Sequence, residues 1–552
     1  MSTNSSVYSN FFKTAFKKNL RPSIERIQEF LKGGSFKLML AYVDMDLHTE
    51  KEYEADIELI NTPNKTGFDF KISIGEQLKN GGVKYLNSYG LDGELRIYGN
   101  GSSFRTSSTA IDKFDCNFPK LPRLLTGILT NLRSDNKPYD SSYFRLCIPV
   151  DDGDIVYPAS IIEPEDHLKF DIKQWDTQPS LIGIRFPSIK GMYVTITIQE
   201  KIFHLYAVED VKSVFIDSLN RMDFEEFKTL SSYIRLAFAF LSSRFYSGES
   251  LILTSKDKNF KKIADVAYDL DDINSIRGKQ QLINPTQLFE FYRNLSFSET
   301  FREKFKDAHE RFSSHVFSRL CDMLHQNLAL RRALEILVNS SSANDPLQQG
   351  ILCSVALETV TELISDENQE SIKPISNKQT ARRLIDELKK VVVKHENLSA
   401  EAMQIINSKL SDLNKPTNKN KLLFPFKLLG LALSKKDENI LNHRNHFLHG
   451  RNPVGHAEVW ELEQIALKLH YLTGIVILKY AGYSGHVMNL PAWILFNNQQ
   501  KMKDTFPFAS SKQLTEITNK IKEGTDLSDE DYMVIKDTGR LSKFMEDIIC
   551  LI

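Results

Sequence analysis

Apolar and polar positions alternate in short runs along the first half of the chain, and recur every three or four residues along the second. Alternation with period two marks a strand with one buried face, and the wider spacing marks a helix with one apolar stripe. Residues 36–43, 52–60, 68–74, 94–98, 143–148, 168–172, 192–198 and 202–208 are therefore expected to be strands. Turn signals divide them at Asn80-Gly81-Gly82, Asn100-Gly101 and Asp152-Gly153. One helix is expected among them, over 224–245, from Phe227, Leu230, Ile234, Phe238 and Leu241. A basic amphipathic helix over 10–31, stopped by Gly33-Gly34, precedes them. Helices are then expected over 301–337, 347–364, 380–393, 400–413, 435–449 and 456–480. The pattern predicts an α+β chain. A basic N-terminal helix (1–35) leads into a β-rich, sandwich- or barrel-like domain (36–275), followed by an all-α bundle (284–485) and a tail of short helices (486–552).

Composition sets limits on this picture. A chain of 552 residues is too long for one ordinary core, and 41% hydrophobic with 26% charged residues suits folded globular domains. The formal charge of −1 supplies no whole-molecule field that draws in a polyanion, so a nucleic acid would have to be held at a local patch. Cys116, Cys147, Cys321, Cys353 and Cys550 are scattered without CxxC spacing, which points to reduced thiols in a cytoplasmic protein. The first ten residues lack the apolar core of a signal peptide. The most apolar run, 472–478, falls far short of the roughly 20 residues that span a bilayer.

The chemistry concentrates near residue 450. Six of the thirteen histidines fall between His443 and His486. The segment Arg444-Asn445-His446-Phe447-Leu448-His449-Gly450 is expected to close a helix that starts with a capping box, Ser434 and Asp437, and stops at Gly450 and Pro453. On that helix Asn445 and His449 share one face at i, i+4, with His446 beside His449 and with Phe447 and Leu448 turned toward a core. A histidine at such a helix end is placed to act as a general acid or base.

Arg444, the polar Asn445, three further residues and His449 form an R-[polar]-x3-H motif. It resembles that of HEPN-domain proteins, a helical-bundle superfamily rich in ribonucleases. The apolar helix over 347–364, with Ala356-Leu357-Glu358, and the trailing Gly450 also resemble the subgroup of ApeA-type bacterial anti-phage proteins, in which a β-rich region precedes the helical domain. The likeness covers about 284–483; ahead of that it rests on architecture. The resemblance implies that Arg444 holds the scissile phosphate, that His449 moves protons, and that Asn445 orients one of these groups. It implies cleavage of RNA, with tRNA one possible target, through the ribose 2′-hydroxyl and without metal or cofactor. It further implies a homodimer with paired motifs, a phage-derived trigger, a β-rich sensing half and a place in the bacterial cytoplasm. The strongly apolar helix over 456–480 offers surface for such a dimer.

Other readings attach to the same residues. His443, His446 and His449 repeat every three positions, but imidazoles so spaced fan over about a third of the helix circumference, so two could share a metal and the third only with strain; no cysteine is near to complete a set, which leaves His456 as the candidate fourth ligand. Supporting roles for His443 and His446 are expected instead, and Glu358 is expected either to pair with Arg444 or a histidine, or to be solvated. Lys378, Arg382, Arg383, Lys389, Lys390 and Lys394 form a basic stretch suited to an RNA backbone or to solvent. Asp151-Asp152-Gly153-Asp154 lacks the spacing of a calcium loop and reads as a polar turn. The rival to a nuclease is a non-cleaving HEPN module that binds RNA or nucleotides.

Overall fold

The computed structural model describes a series of strands between 34 and 134, most of 141–283, 310–395, 398–453, 459–492, residue 520 and 549–551. The expected N-terminal helix, strand 168–172 and nearly all of the expected helical tail lie outside the described residues. The chain divides into two compact units. One comprises residues up to Arg277 together with Arg311–His325, and the other comprises Gly278–Glu310 and the residues from Gln326 onward.

The first unit is built on one antiparallel sheet of fifteen strands. It contains the long hairpin of β1 (Gly34–Asp44) and β2 (Thr49–Ile60), in register from Gly34 opposite Leu59 to Asp44 opposite Thr49. The ladder is continuous, with Asp166–His167 at one end and Thr109–Asp115 at the other. Among the described residues no pair joins those ends, so the ladder is open rather than a closed barrel. Helix α1 (Phe224–Ser242) packs on it, with Phe227 stacked on Phe144 at 5.2 Å between ring centroids. The opposite face of the same strands carries a buried ion pair. Arg145 on β3 (Tyr143–Pro149) lies opposite Asp217 on β5 (Ser213–Ser218), donating from Nε and Nη2 to its two carboxylate oxygens at 2.7 Å each. The Tyr206 hydroxyl, on β4 (Lys201–Val208), donates to the same carboxylate at 3.1 Å, and the guanidinium lies over Phe260. Helix α2 (Ser314–Gln326) belongs to this unit. It was expected to run on unbroken from 301 to 337. Instead Asn327, in an extended conformation, ends it and caps the next helix by accepting from Leu330 N–H at 3.0 Å.

The second unit is helical. Its hub is α4 (Pro346–Glu367), which packs against α3 (Leu328–Ser340), α7 (Asn418–Leu428), α8 (Lys435–Leu448) and α9 (Val459–Tyr480). Asp345 caps α4, and Pro346 occupies its first position, where the missing N–H is no loss. The buried Gly350, Cys353, Ser354 and Ala356 let its neighbours come close. Helix α5 (Lys378–Val393) packs chiefly on α6 (Ala400–Ser411), and of these two only Ala381 is buried. Helix α9 buries every residue from Leu469 to Leu478, leaving Val459 exposed at its start. The surface that suggested a dimer interface is thus consumed within the chain's own fold, because α9 packs on α4. At the far end, His486–Met488 pairs as a strand with Ile549–Leu551, where short helices were expected.

Two predictions follow from these buried polar groups. Burial disfavours the Arg145 charge, but Asp217 more than offsets this and holds the guanidinium protonated. Asp217→Ala strands that charge and is expected to cost about 3–5 kcal/mol in denaturant unfolding. Replacing both partners with Met and Leu should restore most of the loss; a double variant as unstable as the single one would refute the pairing argument. His470 on α9 is buried, with Ser341 Oγ 3.4 Å from its Nε2, and burial pushes its pKa down to about 3 from 6.5. The native state therefore holds it neutral, so its contribution is complete above pH 6.5 and is lost as pH falls toward 3. Between pH 7 and 5 the wild type should lose about 2 kcal/mol more than His470→Gln. Parallel pH slopes for the two proteins would contradict this.

Candidate functional site

Helix α8 carries the candidate residues, and three attachments fix it. At its start, Ser434 Oγ accepts from Asp437 N–H at 3.1 Å while Asp437 Oδ2 accepts from Ser434 N–H at 3.0 Å, the reciprocal capping box expected from the sequence. Asp437 also meets Lys468 of α9 at 3.1 Å. Burial pushes the Asp437 carboxyl up, but Lys468 and the bonds to Ser434 outweigh it and leave the group below the usual carboxylate range. In the middle, Ile440, Leu441, Arg444 and Phe447 form the buried stripe. Phe447 is fully buried against α4 at Gly350, where an added Cβ would lie 2.3 Å from its ring. At the end, Gly450 N–H donates to Phe447 O and Arg451 N–H to His446 O, each at 2.8 Å, with Gly450 at φ +64°. This paired closure needs a left-handed residue, which glycine supplies without strain.

The last turn separates the motif into buried and exposed parts. Arg444 is 6% exposed. Its Nη1 donates to Asn445 Oδ1 at 2.9 Å, its Nη2 lies 3.8 Å from Glu358 Oε1 on α4, and its Nε is buried without an acceptor. Asn445, His446 and His449 are exposed, with His449 as the C-cap residue. His443 is half-buried, its ring 6.2 Å from that of His446. Burial, and then the neighbouring His446, lower its pKa, with Glu461 opposing them. The fold thus brings Arg444, Asn445 and Glu358 together and sets His449 on the exposed end of the same helix. Among the described residues, no three His, Cys, Asp or Glu side chains converge as metal ligands; His456 lies outside them.

Two features escaped the sequence reading. Arg444 falls three residues after Leu441 and three before Phe447, which places it in the apolar stripe and off the solvated face. Its removal therefore touches the core. Gly350 was also overlooked, although a glycine inside a helical run signals a close approach.

Compared with protein-family profiles, with curated proteins and with solved structures, the chain finds no match. No helix among the described residues is long and apolar enough to cross a membrane.

The Gly350 contact generates a prediction. Gly350→Ala should push Phe447 out of its seat and destabilise the protein by about 1–3 kcal/mol through overpacking. A compensating Phe447→Leu change should recover part of the loss. An unchanged melting temperature in Gly350→Ala would remove Phe447 as the element that positions α8.

Proposed function

We propose that this chain is a metal-independent endoribonuclease of the HEPN type, an abortive-infection effector that cleaves RNA, tRNA among its possible targets, through the 2′-hydroxyl. The observation that carries the reading is the division of labour on the last turn of α8. Asn445 and His449 are exposed, beside a buried arginine that meets Asn445 at 2.9 Å. Because Arg444 engages Asn445 Oδ1, the two Asn445 Nδ2 hydrogens are left for a phosphate oxygen. His449 then takes the proton of the ribose 2′-hydroxyl or gives one to the departing 5′-oxygen. The 2′-oxygen bonds to phosphorus as the P–O5′ bond breaks, leaving a 2′,3′-cyclic phosphate and a 5′-hydroxyl. Arg444 offsets the charge that grows on the phosphate, for which the phosphate competes with the long contact to Glu358. With His446 in a supporting role, one motif supplies His449 as its single proton-transfer group, so on this reading base and acid together come from two chains paired about a twofold axis.

A second reading is favoured by the burial of Arg444, whose guanidinium is turned inward in this conformation. On it, the domain binds RNA or nucleotides without cutting.

Cleavage assays separate the two. The wild type is expected to cut RNA in EDTA, to spare DNA, and to fail at a single site carrying a 2′-deoxyribose. His449→Ala, which alters an exposed side chain, should fold normally and lose at least 100-fold in rate, the scale of one general acid–base group. Arg444→Lys keeps the charge and tests the guanidinium fork with less injury to the core than Ala. Normal cleavage by His449→Ala, or 5′-phosphate product ends, would refute the nuclease mechanism. Full activity in a species that stays monomeric with substrate present would refute the shared site.

A further inference from the structure

Helices α5 and α6 enclose a cleft of about 740 Å³ that takes no part in the site on α8. Lys389, Lys390, Val393 and Lys394 line it from α5, and Asn407, Ser408 and Ser411 from α6. Three lysines lining one cleft concentrate positive charge there, and an acidic neighbour normally relieves this. The same helix carries two carboxylates, Asp386 and Glu387; Glu387 is taken by Arg383 at 3.6 Å, and Asp386, one turn before Lys389 and Lys390, forms no ion pair with either among the described residues. The chain's formal charge is −1, so the local excess of positive charge is not part of a general surplus. The Asn407 Oδ1 on α6 is buried without a donor; it accepts only from an N–H or O–H and takes no part in holding a phosphate. Ser411 Oγ donates to the backbone carbonyl of Asn407 at 2.9 Å, within α6.

We propose that this cleft grips the phosphate backbone of a single-stranded RNA, with Lys389, Lys390 and Lys394 as the phosphate contacts. Three flexible ammonium groups with no planar fork suit a repeating point charge better than one bidentate anion. The cleft is open to solvent, and the side chains that line it present no aromatic platform for bases. Backbone charge is therefore what it reads, and sequence is not. The choice of RNA as the strand rests on the nuclease reading.

The test uses the full chain carrying His449→Ala, so that binding is measured without cutting and its failure is separate from a failure of cleavage. Binding of a fluorescent 12-nucleotide RNA is followed at salt concentrations from 50 to 200 mM. Neutralising three phosphates on a single strand should account for about 2 units of the salt slope, or about 20-fold in affinity over that range. Lys389→Ala/Lys390→Ala/Lys394→Ala is expected to lose that part of the slope. The charge-matched control Lys378→Ala/Arg382→Ala/Lys409→Ala, outside the cleft lining, should keep it. The corresponding triple Lys→Arg variant should bind as the parent does. Equal losses in the cleft variant and the control would overturn the proposal in favour of diffuse surface charge. Competition by AMP or inorganic phosphate as strong as that by the oligomer, at equal phosphate concentration, would overturn it in favour of a small phosphate ligand.

Discussion

The placement of every candidate group on α8 depends on the Phe447 ring resting on Gly350. A helix end has little to hold it: its last four carbonyls lack intrahelical partners, and its side chains splay toward solvent. Here the terminal carbonyls are closed by Gly450 and Arg451, but that closure fixes only the path of the backbone. Lateral position comes from the core contact. Glycine inside α4 costs about 0.5–1 kcal/mol against alanine, and the seat it opens buries a whole aromatic ring, which offsets that cost. His449 lies two residues beyond Phe447, so the anchor holds the exposed histidine at the distance of half a helical turn.

Two buried arginines show how differently the same charge can be accommodated. Arg145 donates twice to Asp217 at 2.7 Å, and its partner also accepts from Tyr206. Such a pair fixes strand register and offers nothing to a ligand. Arg444 is held by one neutral amide and by a half-exposed glutamate at 3.8 Å, with Nε facing no acceptor. A buried donor left open carries a cost that any incoming anion would repay. The incomplete pairing of Arg444 therefore supports a functional role, even though its burial favours a structural one. Burial and partial satisfaction together describe a group held ready near the surface of the bundle.

How much of this was legible in the sequence follows from where periodicity is strong. The strands Phe68–Ile74 and Met192–Ile198, and the helices Pro346–Glu367 and Lys435–Leu448, lie where alternation or three-to-four spacing put them. Ser213–Ser218 escaped because all six of its residues are buried, which leaves no alternation to detect. Asn418–Leu428 was not among the expected helices: its first turn is polar, with Asn418 and Asn420, and Pro425 lies inside it, yet Pro425 is buried and the helix runs through it. The site residues were legible as a group, since the spacing of Arg444, Asn445 and His449 is local. The inward turn of Arg444 was present in the spacing of Ile440, Leu441 and Phe447 but hidden by its charge, because a pattern of apolar positions passes over an arginine that lies within it.

A chain with almost no net charge is an unusual vehicle for an RNA enzyme, and the proposed arrangement accounts for it. Whole-protein positive charge would hold substrate and product alike, and such uniform binding lowers the concentration needed without speeding the reaction. On the proposed reading, three lysines in one cleft supply a weak, salt-sensitive grip on the strand, while Arg444, assigned to bond breaking, sits apart and is buried. On the same reading the contact with Glu358 at 3.8 Å restrains Arg444, since a phosphate would displace that carboxylate to reach the guanidinium.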